Sequence, residues 1–301
     1  MADSSKKTEG QQIKPSSGMK GIWPVVAIVL CAIVAHFVFY NFFGDYKNFE
    51  GGEEAYMAQK AWVDGGEVGE APAGLEQLHP VNEGVRRIMG LVFKGGFVIP
   101  IGFTLLLTLL VFTVERAMTV LSASGKGNTD VFVEKVRRFL SQGDISAASL
   151  ECDKQKGSVG NVIKAGLRKY QEMEVATGMQ KDQKKAAIQA ELEEATMLEL
   201  PMLERNLSII ATTASLGTLV GLIGTVIGMI KAFSALGAAG APNAAELSVG
   251  ISEALINTAL GISTSAFSIL IYNFFTTKID SMTYKMDEAG YSIVQTFDIR
   301  N

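Results

Sequence analysis

Apolar positions dominate four long stretches of this chain, and polar positions interrupt them in a regular way. The most informative stretch is Leu247 to Thr277, thirty-one residues with a single charge, Glu253. About 20 apolar residues suffice to cross the roughly 30 Å hydrocarbon core of a bilayer, so this run can span one. Four, eight, eleven and fifteen residues after Glu253 come Asn257, Gly261, Thr264 and Ser268, which helical spacing places on the acid's own face. Ile256, Leu260, Phe267, Ile271 and Phe274, interleaved with them along the run, are greasy. The pattern predicts a membrane helix with one face for lipid and one for something wet.

Three more runs read as spans. Residues 21–43 are uncharged if His36 is neutral, and they end in Phe39-Tyr40-Asn41-Phe42-Phe43 rather than a small-residue cleavage site. They are therefore read as a retained anchor rather than a signal peptide, with His36 as an interfacial residue or, in the sharper alternative, a proton relay. Residues 91–114 form the next span, with Lys94 at its edge and Pro100 in its first half, where a bend is tolerated if neighbours satisfy the freed carbonyl. Residues 207–230 carry no charge and set Gly217, Gly221, Gly224 and Gly228 at spacings of four, three and four. Such a small-residue stripe suits close helix packing, and Gly261 in the 247–277 run is given the same packing role. A second stripe holds Ser215, Thr218 and Thr225.

Between the spans lie a polar N-terminal tail (1–20), a glycine-rich segment (44–90), a soluble portion (115–206), a short connection (231–246) and a charged C-terminal tail (278–301). The 44–90 segment has nine Asp/Glu against four Lys/Arg and reads as weakly structured. Residues 117–206 have thirteen of each sign and a helical period in Phe132, Val136, Phe139 and Leu140, then Val162, Ile163 and Leu167. The distribution of basic residues predicts a cytoplasmic N-terminus, 115–206 portion and C-terminus, with 44–90 and 231–246 on the outer side. The fold class expected is all-α: a polytopic membrane protein with four transmembrane helices and long helices running into a helical cytoplasmic portion.

Composition agrees with that picture. The chain has 301 residues, 48% hydrophobic and 19% charged, with a mean hydropathy of +0.24. A net charge of −4 argues against nucleic acid as a partner. Two cysteines and two histidines give no disulfide framework, metal set or catalytic cluster. No catalytic residues, metal ligands or cofactors are expected. A lone carboxylate in a span is costly to keep charged and is read by default as functional, although the run is long enough for Glu253 to lie at the headgroup boundary instead. A carboxyl that gains and loses a proton as water reaches it from either side can act as a relay, with Thr258, Thr264 and Ser265 nearby to hydrogen-bond it or a water chain.

The residues then suggest a family. Gly-Leu-Ile-Gly-Thr-Val-Ile-Gly-Met at 221–229, Gly-Ile-Ser-Glu-Ala-Leu-Ile-Asn-Thr-Ala-Leu-Gly at 250–261 and Tyr272-Asn273 resemble the pore helices of the ExbB/TolQ family, relatives of MotA, with ExbB the nearer match. Phe93-Lys94-Gly95-Gly96, Glu115-Arg116, Gly143-Asp144 and Ala165-Gly166-Leu167 resemble it too, over about residues 90–280. The resemblance implies a homopentamer in a cell inner membrane, enclosing an ExbD/TolR-like single-span partner that supplies an aspartate. Ion flow then drives a TonB-like protein or, in the TolQ-type alternative, an envelope-maintenance system. It puts Glu253 at the pore acid and Thr258 at its threonine, with Asn257, Thr264, Thr213 and Thr218 as further ion-pathway candidates. The chain departs from the family pattern at Leu216, Gly217-Thr218 and Phe267, and its first span is an addition. The extra hydroxyls leave sodium as an alternative to the proton, and a non-conducting scaffold stays open as a different class.

Overall fold

The computed structural model describes residues 19–64, 72, 74–75, 78–82, 84–237 and 244–300. The expectations for the tail before Met19, for most of 65–83 and for 238–243 lie outside the described residues. Those residues are helical almost throughout. The one β-type pairing among them is an isolated bridge between Phe49 and Pro80. The helices are α1 (Met19–Val38), α2 (Gly52–Asp64), α3 (Gly84–Phe93), α4 (Ile99–Ala123), α5 (Thr129–Gln142), α6 (Ile145–Gln155), α7 (Ser158–Val175), α8 (Lys181–Glu204), α9 (Leu207–Gly237) and α10 (Ala244–Arg300). Four helical stretches, Ile22–Phe43, Gly96–Ala123, Lys181–Gly237 and Ala244–Arg300, are long and apolar enough to cross a membrane.

Helix α1 docks along α4 with Ala27, Cys31 and Ala35 buried at every fourth position, and Phe39, just past its end, continues the buried row. Ile22, Trp23, Val25, Val29, Ile33 and Phe37 face outward, as a lipid-facing surface would. Phe39 stacks on Phe93, and Phe43 stacks on Phe103 at 5.2 Å between ring centroids. His36 lies on the exposed side of α1 beside Tyr40. The 44–90 segment is better built than its composition suggests. It holds a 3-10 turn at Tyr46–Asn48, helices α2 and α3, and Asn48, whose amide donates to the carbonyls of Phe42 and Phe43.

Pro100 does not bend a span. It occupies the first turn of α4, where a proline costs no internal hydrogen bond. The chain reaches it through Gly95 and a short 3-10 turn, Gly96–Val98, with Gly96 at φ +70°. Nor do residues 278–300 form a separate tail. They are the second half of the 57-residue α10, which is about 85 Å long at the usual rise. Ile279, Met282, Met286, Ala289, Ile293 and Phe297 recur every three or four residues and are buried against α5, α7 and α8. The charges between them disguise the stripe.

That packing makes one apolar core with Val136, Leu140, Ile163, Leu167, Tyr170 and Ile188. Tyr170 meets Phe297 edge-on at 5.1 Å. The helices of this bundle are capped as their sequence allows. Asn128 accepts from the Asp130 N–H and Asp144 from the Ala147 N–H, and Gln180 and Gln183 close a capping box.

Helices α8 and α9 are separated by a break at Arg205–Asn206, where Asn206 has φ +62°. The fully buried guanidinium of Arg116 fills this break. It donates to the carbonyls of Leu203 (3.2 Å) and Met202 (3.5 Å), which the helix end leaves without partners, and to both carboxylate oxygens of Glu115. Asn206 donates to the same carboxylate at 3.4 Å. Arg116→Met should cost about 3 kcal/mol, the lower end for breaking a buried pair, because Glu115 keeps some access to solvent. Arg116→Lys should restore only part of it, since an ammonium lacks the two-pronged geometry. Denaturant unfolding of the purified chain in detergent, following helicity, measures both.

Candidate functional site

Glycine brings α9 and α10 together. A Cβ built on Gly228 would lie 2.6 Å from the Ala254 nitrogen and the Gly250 carbonyl oxygen, and one on Gly261 would lie 2.5 Å from the Gly217 carbonyl oxygen. Gly221 lies against Asn257, Thr258 and Gly261, and Gly224 against the Asn257 side chain. Gly217, Gly221, Gly228 and Gly261 therefore sit where the two backbones touch, antiparallel, over about three turns, and Gly224 makes room for the Asn257 side chain. Such an approach shortens the reach between side chains flanking the seam, so that even short hydroxyls span it.

The polar residues of the two helices use that reach as a series of rungs. The Thr225 and Thr258 hydroxyls hydrogen-bond each other, and the carbonyls four residues back in each helix, Gly221 and Ala254, lie within reach of the same two hydroxyls, so one proton bridges the threonines and the other is left for a carbonyl. Thr218 donates to the Ser265 hydroxyl at 2.9 Å, and Ser265 in turn donates to the Ala214 carbonyl. Ser268 donates to the Ile210 carbonyl. Thr264 and Thr213 are buried, and each donates to a carbonyl of its own helix, Leu260 and Ile209. Thr225→Val and Thr258→Val should each cost about 0.6–1.7 kcal/mol, the span measured for hydrogen bonds between membrane helices. The double variant should lose little more than either single one, and a double-mutant cycle of unfolding free energies reads this.

Glu253 stands at the far end of this ladder and is 1% exposed. It faces neither lipid nor open solvent. One carboxylate oxygen, Oε2, accepts from the Lys231 ammonium of α9 at 2.7 Å. The other, Oε1, is buried without a hydrogen-bond partner and points at Gly96. Any side chain there would strike that oxygen, and the positive φ independently favours glycine. One turn further along α10, Asn257 donates to the Gly95 carbonyl at 2.8 Å and to the Glu253 carbonyl at 2.9 Å. The loop before α4, the end of α9 and the first third of α10 thus meet around one carboxylate.

Of the residues singled out from the sequence, Glu253 and Asn257 share this pocket. Thr258 begins the hydroxyl ladder, Thr218 and Thr264 lie further along it, and Thr213 lies near its opposite end. From the level of Thr225 to that of Thr213 is about 18 Å along α9. The polar face of α10 is not open to a wet channel within the protomer. It is packed against α9 and α4, because the glycines remove the side chains that would hold the helices apart.

Three participants were not picked out. The sequence pattern places Lys231 in the connection after the span, but α9 continues to Gly237 and carries it into contact with the acid. Thr225 was seen only as one of a stripe, and Gly96 only within a motif. Lys231 gives Glu253 a counter-charge from its own chain, its long stem letting the ammonium reach a carboxylate on the neighbouring helix.

Other chemistry-bearing groups lie elsewhere. Burial pushes the Cys152 thiol up to about 12, so it is a core side chain rather than a nucleophile. Among the described residues no group of three His, Cys, Asp or Glu could hold a metal ion.

Comparison with known proteins adds an independent line. Residues 154–288, from the end of α6 through most of α10, match the MotA/TolQ/ExbB proton channel family. Over 86 residues the chain is 40% identical to the biopolymer transport protein ExbB-like 3 of Synechocystis sp., covering 28% of this chain and 41% of that protein. Over 163 residues it is 27% identical to the Tol-Pal system protein TolQ of Pseudomonas aeruginosa, covering 53% of this chain and 69% of that protein. The chain thus spans about two fifths of the length of the first of these relatives.

Proposed function

We propose, from the premise that residues 154–288 are a domain of the MotA/TolQ/ExbB proton channel family, that this membrane protein is an ion-conducting motor subunit. It works in a cell inner membrane as a homopentamer around an ExbD/TolR-like single-span helix. Both termini are cytoplasmic, and proton flow past Glu253 drives motion of the guest helix relative to the ring. The work is delivered to a TonB-like protein that energises outer-membrane transport. The TolQ-type alternative, envelope maintenance, is kept open by the similarity to a TolQ.

The observation that carries the reading is the environment of Glu253. A carboxylate fully buried in a bilayer-spanning pair of helices, with one oxygen unpartnered, is a group that a structural role alone does not require. The membrane potential supplies about 2.3 kcal/mol per charge per 100 mV, enough to do work over repeated transfers. In this reading the proton is held at Glu253 beside Asn257 and handed along Thr258 and Thr225, then Thr218, Thr264 and Thr213, with water filling the gaps. Sodium is the alternative coupling ion.

The test is ion flux into vesicles that hold the full chain with a single-span partner of the ExbD/TolR type. Flux should follow an imposed proton gradient and should require Glu253. Flux that follows sodium instead changes the ion. Flux that ignores Glu253 in a normally assembled complex replaces the motor with a non-conducting scaffold.

A further inference from the structure

Leu207–Gly237 and Leu247–Thr277 each carry one charged residue, Lys231 in the first and Glu253 in the second. The two meet at 2.7 Å. Their surroundings are unequal. The carboxylate is 1% exposed, whereas the lysine side chain is 48% exposed. The acid is thus held in place by packing, and the base reaches it from a surface to which it can return.

Among the described residues, no other group around the carboxylate balances its charge. From α10 it is approached by Asn257, which is neutral and already donates to two carbonyls. From the loop before α4 it meets Gly96, which brings no side chain. Lys94 lies in the same loop and is buried, yet among the described residues it makes no ion pair with the acid. From α9 comes Lys231 alone.

We propose that Lys231 is a tethered counter-cation for Glu253. It keeps the carboxyl ionised in the closed arrangement of the pocket, and it must swing outward before that carboxyl can take up and release a proton. Lys231 is in this sense a positioning residue, acting through Glu253. The proposal rests on the reading of Glu253 as the ion carrier, and it adds a lock to that carrier. While the ammonium is seated, the site already holds a cation that cannot travel. A pentamer with its five lysines seated does not leak. An ammonium that leaves does not cross the membrane, because its stem ties it to α9, so it can reset after each transfer.

The test exploits the fact that a hydrophobic carbodiimide reacts with the neutral acid. The acid's proton moves to a carbodiimide nitrogen while the carboxylate oxygen adds to the central carbon. The O-acylisourea so formed rearranges to a stable N-acylurea that mass spectrometry locates. The full chain in native membranes is treated with dicyclohexylcarbodiimide at neutral pH, and the adduct at Glu253 is followed with time.

Labelling should be slow in the unaltered chain and on the order of tenfold faster or more in Lys231→Met and Lys231→Gln, tenfold corresponding to one pH unit in the ionisation of the acid. Lys231→Arg should remain slow, because a cation is kept. Glu253→Gln should give no adduct. Two neutral variants guard against one that fails to fold, and the rates are taken from protein that elutes at its native size. Labelling of both neutral variants within about twofold of the unaltered rate, less than a third of a pH unit, overturns the proposal. So does an arginine variant that labels as fast as the methionine one. Because the adduct is read without flux, these outcomes are separate from failure of the motor reading, which the vesicle assay decides.

Discussion

Glu253→Gln should reduce partner-dependent ion flux by about 10²–10⁴-fold, the range in which a proton-transferring group matters to a reaction. The amide matches the carboxylate in shape. Its oxygen can accept from the Lys231 ammonium as Oε2 does, and it places no extra heavy atom against Gly96. The packing of α4, α9 and α10 should therefore survive, and the complex should elute at its normal size. What is lost is the ability to be charged in one state and neutral in another. Glu253→Asp is the informative companion. It restores the acid but draws it back from Lys231, so partial flux is expected. Equal flux from the glutamine variant and the unaltered chain, at equal assembly, would leave the motor reading without its carrier. The measurement is the initial rate of acidification inside vesicles after a proton gradient is imposed, with and without the single-span partner.

Gly228→Val should prevent stable folding of the membrane part. The added Cβ would stand 2.6 Å from the Ala254 nitrogen and the Gly250 carbonyl oxygen, and backbone atoms of a helix cannot turn aside as a side chain can. The helices must separate, and the rungs that depend on their closeness, Thr225 to Thr258 and Thr218 to Ser265, lengthen with them. Overpacking typically costs about 1–3 kcal/mol, and rigid backbone on the far side puts this case at the upper end. Gly237→Val is the matched control. It lies at the end of the same helix, and among the described residues no packing neighbour comes within 4 Å of its would-be Cβ. Yield of monodisperse protein after detergent extraction, and the temperature at which it aggregates, should fall sharply for the first variant and stay near the unaltered value for the second. Similar losses from both would mean that the seam does not hold the helices together.

The sequence made Glu253 legible because an isolated charge in an uncharged run has few structural excuses. It made the glycine stripe legible because four small residues at helical spacing are rarely accidental. It hid Lys231 for an equally simple reason. A hydropathy reading ends a span at the first charge, so the run closed at Ile230, one residue before the lysine that matters. It hid the second half of α10 likewise, because Lys278, Asp280, Lys285, Asp287 and Glu288 mask the buried stripe from Ile279 to Phe297. Pro100 was misplaced because a proline inside an apolar run and one that starts a helix look alike until the glycines before it are seen to turn the chain.

What the amino-acid order determined by itself was the set of long apolar helices, the face on which each carries its small and polar residues, and the one acid among them. Periodicity and charge are local properties, and a bilayer admits few ways to satisfy them. Tertiary structure decided which faces meet. Within the protomer it turned the polar face of α10 inward against α9, and it joined Glu253 to a lysine on another helix. It also folded Gly96 over the remaining oxygen. Those outcomes depend on contacts between residues 22 to 157 positions apart, whose geometry no window along the chain contains.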